Sequence, residues 1–218
     1  MQLKDRHRVI TIDGPAASGK SSVARKLARR LDFAYVNSGA MYRAVTWSVL
    51  QNGVDPADED RIAKFVTGLK FGAELKDGEF RLRIDDVDLT LHLHEDRVNK
   101  DVSRVSTVPQ VRRVLVERMR GYAREHDLVV EGRDIGSVVF PDTPYKFYVD
   151  ASPEIRAQRR AAQGQRDEIA RRDQADSSRS ASPLIVAKDA EVIDTSDVSI
   201  DAVVDKIMDR LRAKNLTI

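Results

Sequence analysis

Gly14-Pro15-Ala16-Ala17-Ser18-Gly19-Lys20-Ser21 matches G-x-x-x-x-G-K-[ST] at every fixed position, and it joins two segments of different periodicity. Before it, Arg8 to Ile12 carries Val9, Ile10 and Ile12 in one short apolar run that Asp13-Gly14-Pro15 ends, which predicts a buried strand. After it, Val23, Ala24, Leu27, Ala28 and Leu31 recur at helical spacing, with Arg25, Lys26, Arg29 and Arg30 on the other face. A strand, a glycine loop and a helix in that order leave backbone N–H groups converging on a helix N-terminus, the arrangement that phosphate oxygens require. Gly14 to Ser22, namely Gly14, Pro15, Ala16, Ala17, Ser18, Gly19, Lys20, Ser21 and Ser22, is therefore the expected nucleotide-triphosphate-binding stretch. Lys20 is expected to reach the β- and γ-phosphates, and Ser21 to offer its hydroxyl to Mg²⁺, a hard ion that prefers oxygen.

The rest of the chain repeats the alternation of strand and helix. Ala34 to Val36 reads as a strand, the turn Asn37-Ser38-Gly39 leads to a helix from about Ala40 to Leu50, and a short helix runs to Val66. From Leu69 to Leu93 the period becomes two. Phe71 to Leu75 and Phe80 to Ile84 flank Lys76-Asp77-Gly78 as a hairpin, and Leu89, Leu91 and Leu93 alternate with Thr90, His92 and His94 as a third strand. Thr107-Val108-Pro109-Gln110 has capping-box spacing ahead of an amphipathic helix through Val111, Val114, Leu115, Met119 and Tyr122. Leu128 to Val130, Lys146 to Val149 and Glu191 to Ile193 are further strands, and Ile200 to Leu211 is a closing helix. This pattern predicts an α/β fold with a five-stranded parallel sheet flanked by helices, and ligands at the carboxyl ends of the strands. The core is expected over 1–68 and 106–218, a small antiparallel β lobe is inserted at 69–105, and an Arg-rich lid lies at about 154–179.

Composition excludes several alternatives. None of the 218 residues is Cys, which leaves no disulfide framework, thiolate zinc site or cysteine nucleophile. The formal net charge is +2, with 37 Lys and Arg against 35 Asp and Glu, so no global field gathers nucleic acid. No apolar run spans a bilayer and the first residues lack a signal peptide's apolar core, so a cytoplasmic protein free of membrane and nucleic-acid partners is expected. His92 and His94 suggest no third ligand and read as an exposed polar face, while Trp47 reads as core packing. Asp13 either orients Lys20 or a Mg²⁺-bound water, or simply caps its strand.

A bound triphosphate does not name a reaction. Hydrolysing switches usually carry a carboxylate after an apolar strand to hold Mg²⁺ through water. Here Leu128-Val129-Val130 leads into Glu131-Gly132-Arg133-Asp134, and Ala34-Tyr35-Val36 leads into Asn37-Ser38-Gly39-Ala40-Met41-Tyr42-Arg43. Both endings place an arginine and small residues beside the phosphate loop, as a second, anionic acceptor would need. Arg156, Arg159, Arg160, Arg166, Arg171, Arg172 and Arg179 follow the Lys146 strand and are read as a lid closing over a transferred phosphoryl group.

With these residues in hand the chain resembles the bacterial cytidylate kinases, P-loop nucleoside monophosphate kinases, over nearly its whole length. The likeness is carried by Ile12-Asp13-Gly14-Pro15, Ser38-Gly39-Ala40-Met41-Tyr42-Arg43, Gly132-Arg133-Asp134-Ile135-Gly136, Val138-Val139-Phe140-Pro141-Asp142, and Arg172-Asp173 through Arg179 to Ser182-Pro183-Leu184. The family more often has Asp where this chain has Asn37, and its lid is longer than the stretch from Arg156 to Arg172. The resemblance implies transfer of the γ-phosphoryl group of ATP to CMP or dCMP by a Mg²⁺-dependent monomer in pyrimidine metabolism. It implies Lys20, Arg133, Arg159 and Arg160 as catalytic, and Ser38, Arg43, Arg133 and Arg179 around the acceptor phosphate. Ser103, Arg112 and Asp134 would lie near the cytosine, with Arg172 and Asp176 near the pentose. The competing readings are a kinase for shikimate or another monophosphate, and a nucleotide-dependent switch or nucleic-acid-stimulated ATPase.

Overall fold

In the computed structural model, which describes residues 7–162 and 185–216, β1 (Val9–Asp13) is the innermost strand and is buried at all five positions. It runs parallel to β6 (Leu128–Gly132) on one side and β7 (Tyr145–Asp150) on the other, with Ile10 opposite Val129 and Tyr145. β2 (Ala34–Asn37) lies outside β6, and β8 (Glu191–Asp194) outside β7, both parallel. The expected five-stranded parallel core is therefore β2-β6-β1-β7-β8. Adjacent residues of β6 explain its unbroken apolar run, since Val129 joins one core and Val130 the other. On the first face α1 (Lys20–Leu31) and α7 (Ile200–Ala213) pack Val23, Leu27, Val204, Ile207 and Leu211 against Ile10, Ile12 and Phe147. On the second, α2 (Ser38–Gln51), α3 (Glu59–Thr67) and α5 (Pro109–Tyr122) pack Val45, Val49, Ile62, Leu115 and Met119 against Val36 and Val130.

The hairpin forms as expected from β3 (Phe71–Lys76) and β4 (Glu79–Ile84), with Asp77 and Gly78 at positive φ between them. It continues the main sheet, because β4 pairs in parallel with β2 at Tyr35 and Glu79 and the Tyr35 N–H donates to Gly78 O.

Two local expectations fail. The third strand is only β5 (Val87–Asp88); the Asp88 carboxylate accepts from the Thr90 N–H and hydroxyl, and this Asx turn ends the extended backbone. The alternation of Leu89, Leu91 and Leu93 is then accidental, Leu89 being buried and Leu91 92% exposed. Thr107 is not a capping-box residue. Its hydroxyl donates back to Arg104 O, closing a helix the sequence reading did not find, α4 (Asp96–Val105), while α5 starts at Pro109 without a side-chain cap. Among the described residues, no helix is long and apolar enough to cross a membrane.

Candidate functional site

Between β1 and α1 the chain makes a tight loop held by its backbone. Gly14 has φ +155°, and a Cβ there would collide with the Val149 carbonyl of β7, so only glycine lets the loop lie this close to the sheet. Gly19 precedes α1 in the left-handed region, which turns the next N–H groups toward the loop's centre. Ala16, Ala17 and Gly19 to Ser22 line a cavity of about 720 Å³, while Gly14, Pro15 and Ser18 shape the loop behind it. The Ser18 hydroxyl is fully buried and has no hydrogen-bond partner among the described residues. Lys20 donates to Pro15 O at 3.0 Å, folding its ammonium group back over the loop.

The carboxyl end of β6 supplies the opposite wall. Gly132 leaves no room for a Cβ, because Ile135 and the Ser38 hydroxyl press on it. The side chains on either side of it then fan out in different directions. Glu131 is buried and accepts at one oxygen from Ser21 Oγ (2.7 Å) and from the Tyr35 hydroxyl (3.0 Å). Burial, then the Glu131 charge, pushes the Tyr35 phenol above its ordinary range and keeps it a donor. Arg133 donates to Gly14 O at 3.0 Å, tying this wall to the loop. Asp134 forms a buried ion pair with Arg112 of α5, and the Arg112 guanidinium lies 5.7 Å over the Tyr42 ring.

Asp13 makes contacts that neither reading of the sequence anticipated. Its carboxylate accepts from the N–H groups of Ile135 (2.8 Å) and Gly136 (2.7 Å), which pins the one-turn π-helix Ile135–Val139 that follows Asp134. Burial pushes its carboxyl up to about 6, against the pull of those two bonds and of Arg133.

Ser38, Arg43, Ser103, Arg112, Arg133, Asp134, Arg159 and Arg160 all line the same cavity as the phosphate loop. Ser38 donates to Glu131 O at 2.8 Å and Arg43 to Gly39 O at 3.1 Å. Asn37 caps α2 by accepting from the Ala40 N–H at 2.9 Å, a role that asks for an oxygen and not a charge. Arg159, on α6 (Pro153–Ala162), donates to Thr195 Oγ1 (3.1 Å) and Thr195 O (2.7 Å). Arg156 departs from the lid expectation: it is buried and donates to Ala151 O and Ala16 O, bracing the phosphate loop from beneath. Arg166, Arg171, Arg172, Asp176 and Arg179 lie outside the described residues.

Glu131 and Thr195 line the cavity but were not among the expected site residues. Glu131 is a carboxylate directly after an apolar strand, and its signal, Leu-Val-Val-Glu, is present in the sequence. Thr195 had none. Its hydroxyl donates toward Ser18 O (2.8 Å) and Asp150 O (3.0 Å), across 177 residues of chain in the first case. Ser21 and Glu131 together give the loop an all-oxygen donor set that fits a hard divalent cation. Among the described residues no group of three or more His, Cys, Asp or Glu could hold a metal ion, so an ion at this pair would draw its other ligands from nucleotide phosphates and water.

A family model described as cytidylate kinase matches residues 10–213 of the chain. A cytidylate kinase of Rhodococcus opacus (strain B4) is 45% identical over 212 residues, covering 92% of this chain and 93% of its own length. Cytidylate kinases of Pelotomaculum thermopropionicum and Mycobacterium avium (strain 104) are 43% and 42% identical over 219 residues each, covering 94% and 95% of this chain and 96% of their own lengths. Among solved structures, an uncharacterised protein of Eubacterium ventriosum ATCC 27560 superposes with a TM-score of 0.51 at 14% identity, covering 95% of this chain and 99% of its own. TT1252 of Thermus thermophilus superposes at 0.50 with 20% identity, covering 97% and 99%. These two similarities concern the fold alone.

Proposed function

The chain belongs to the cytidylate kinase family, and from that premise we propose that it transfers the γ-phosphoryl group of ATP to CMP or dCMP, releasing ADP and the diphosphate. One observation carries the reading beyond the family. A single cavity holds a phosphate loop at one end and a paired carboxylate and guanidinium, Asp134 and Arg112, at the other. The loop binds a triphosphate through backbone N–H groups, while cytosine offers an amine donor and an acceptor face, which a carboxylate and an arginine can read.

The roles follow from charge and reach. Lys20 neutralises the transferring group, and Arg133, Arg159 and Arg160 gather around it. Ser38 and Arg43 hold the acceptor phosphate, with Arg179 completing that set, and Ser103, Arg112 and Asp134 hold the base. Arg172 and Asp176 take the pentose. Ser21 and Glu131 would hold Mg²⁺, which when bound supplies positive charge to the phosphate oxygens. No strong general base is required, because the acceptor is already an anion and catalysis is mostly positioning and charge neutralisation. In this reading residues 69–105 form an acceptor-side lobe on a core of 1–68 and 106–218, with a lid at about 154–179. Action as a monomer in the cytoplasm goes with this reading.

The test is ADP release from ATP and Mg²⁺ with CMP, dCMP, UMP, AMP and shikimate offered separately beside a control without acceptor. A strong rate confined to CMP or dCMP is expected. ADP formed equally without acceptor would overturn transfer, and a faster rate with shikimate or AMP would overturn the reading of Arg112 and Asp134.

A further inference from the structure

His92 and His94, paired on one strand face in the sequence reading, have different surroundings in the fold. His92 turns to α2, where its ring lies 4.8 Å from that of Trp47 and its Nδ1 is 2.6 Å from Glu95 Oε1. His94 lines the cavity together with Ser38, Arg43 and Arg160. Its backbone is anchored at its carbonyl and at the residue that follows. Its carbonyl accepts from Asn99 Nδ2 at 3.0 Å, and the next residue, Glu95, is gripped by Trp47, His92 and Arg97. The imidazole is therefore carried to the cavity wall on a held backbone.

The electrostatic setting is specific. Arg43 on α2 and Arg160 on α6 are the charged groups that act on His94 among the described residues, and partial burial adds to their effect. The carboxylate nearest in sequence, Glu95, is engaged by Arg97 and His92, and the cavity's Asp134 is paired with Arg112. Burial first, then the two guanidinium groups, hold the imidazole below the usual histidine range. A phosphate dianion arriving at Ser38 and Arg43 reverses the local field, and the same imidazole becomes a good site for a proton.

We propose that His94 is a pH-sensitive determinant of acceptor binding, taking up a proton as the nucleoside monophosphate dianion enters and then donating to the acceptor phosphate. The proposal rests on the acceptor reading given above. Because the bound state holds the extra proton, affinity rises as pH falls through the range between the free and bound imidazole values.

Calorimetric titration of CMP into the ATP-free protein, from pH 6 to pH 8 in buffers of different ionisation enthalpy, tests it on the wild type, His94→Gln and His94→Arg. The CMP phosphate itself titrates near pH 6 in every arm, so the difference between proteins isolates His94. Wild type is expected to take up more protons per CMP than His94→Gln, and to lose about threefold to tenfold more affinity from pH 6 to pH 8, corresponding to a shift of half to one pK unit. His94→Arg should bind at pH 8 at least as tightly as wild type, without the extra proton uptake. Equal proton uptake and equal pH dependence in wild type and His94→Gln would overturn the role of His94 while leaving the kinase reading intact. Absence of CMP binding by wild type at every pH would overturn both.

Discussion

Thr195→Val removes one hydroxyl and changes almost nothing else, since valine fills the same space. That hydroxyl is the single atom that meets the phosphate loop at Ser18 O, the end of β7 at Asp150 O, and Arg159 Nη1. The residue is only 3% exposed, so few waters can take the place of the hydroxyl. Leaving a buried carbonyl and an Arg N–H without this partner is expected to cost about 1–3 kcal/mol. For a chain of this length each kcal/mol lowers Tm by about 2–4 °C, so a fall of roughly 2–12 °C is expected in thermal unfolding. Arg159 keeps its second anchor, the 2.7 Å bond to Thr195 O, because that acceptor is backbone. The guanidinium should therefore loosen without leaving, and kcat should fall on the order of tenfold, equivalent to about 1.4 kcal/mol of lost transition-state stabilisation. Steady-state kinetics with ATP varied at saturating CMP measure this, and Thr195→Ser, which keeps the hydroxyl, should recover most of both losses. If Thr195→Val matches wild type in Tm and kcat, or if serine fails to rescue, the hydroxyl does not hold the loop and Arg159 together.

Lys20→Ala should lower kcat by about 10²–10³-fold, the scale for losing one charge-stabilising donor, with CMP affinity by calorimetry little changed; an unchanged kcat would remove Lys20 from the transfer step. Tyr35→Phe deletes one of the two donors on the Glu131 oxygen, and should raise the Mg²⁺ concentration for half-maximal activity by about tenfold. An unaltered Mg²⁺ requirement would dissociate Glu131 from the metal. For Asp13 the folded carboxyl titrates at about 6, above its ordinary value, so the folded state binds more protons between roughly pH 4 and pH 6. Stability contributed by this group is therefore present below that window and falls by roughly 3 kcal/mol as pH rises through it. Urea unfolding across pH 4–7 should show that decline in wild type and a flatter profile in Asp13→Asn; parallel profiles would contradict it.

The parts of the fold that were legible are those where two signals agree. β1 and α1 were readable because an apolar run, a glycine loop and a helical stripe meet within Arg8–Leu31, and the Asp77-Gly78 turn fixed its hairpin for the same reason. α4 escaped because only Val98, Val102 and Val105 among its ten residues are apolar, and because the leucine alternation just before it suggested a strand. That alternation lacked any partner strand to make it real. In the site, Arg133 and Asp134 were visible beside the loop, but not that Asp13 would use both carboxylate oxygens to hold the turn after them. Such bonds span more than a hundred residues and leave no local trace. Thr195 is the extreme case, one of four consecutive polar residues at a strand end, with nothing local to set it apart, and its partners are brought to it only by the finished sheet.

The stretch from Glu131 to Gly136 assigns successive side chains to different tasks: Glu131 to Ser21, Arg133 to Gly14, Asp134 to Arg112, and the N–H groups of Ile135 and Gly136 to Asp13. It works as a ruler whose marks are single residues, clamped at both ends. Substitutions can blur one mark at a time, but an insertion or deletion of one residue slides every mark together, uncoupling the donor and acceptor ends in a single event. The length of this segment is thus constrained more sharply than any one of its side chains.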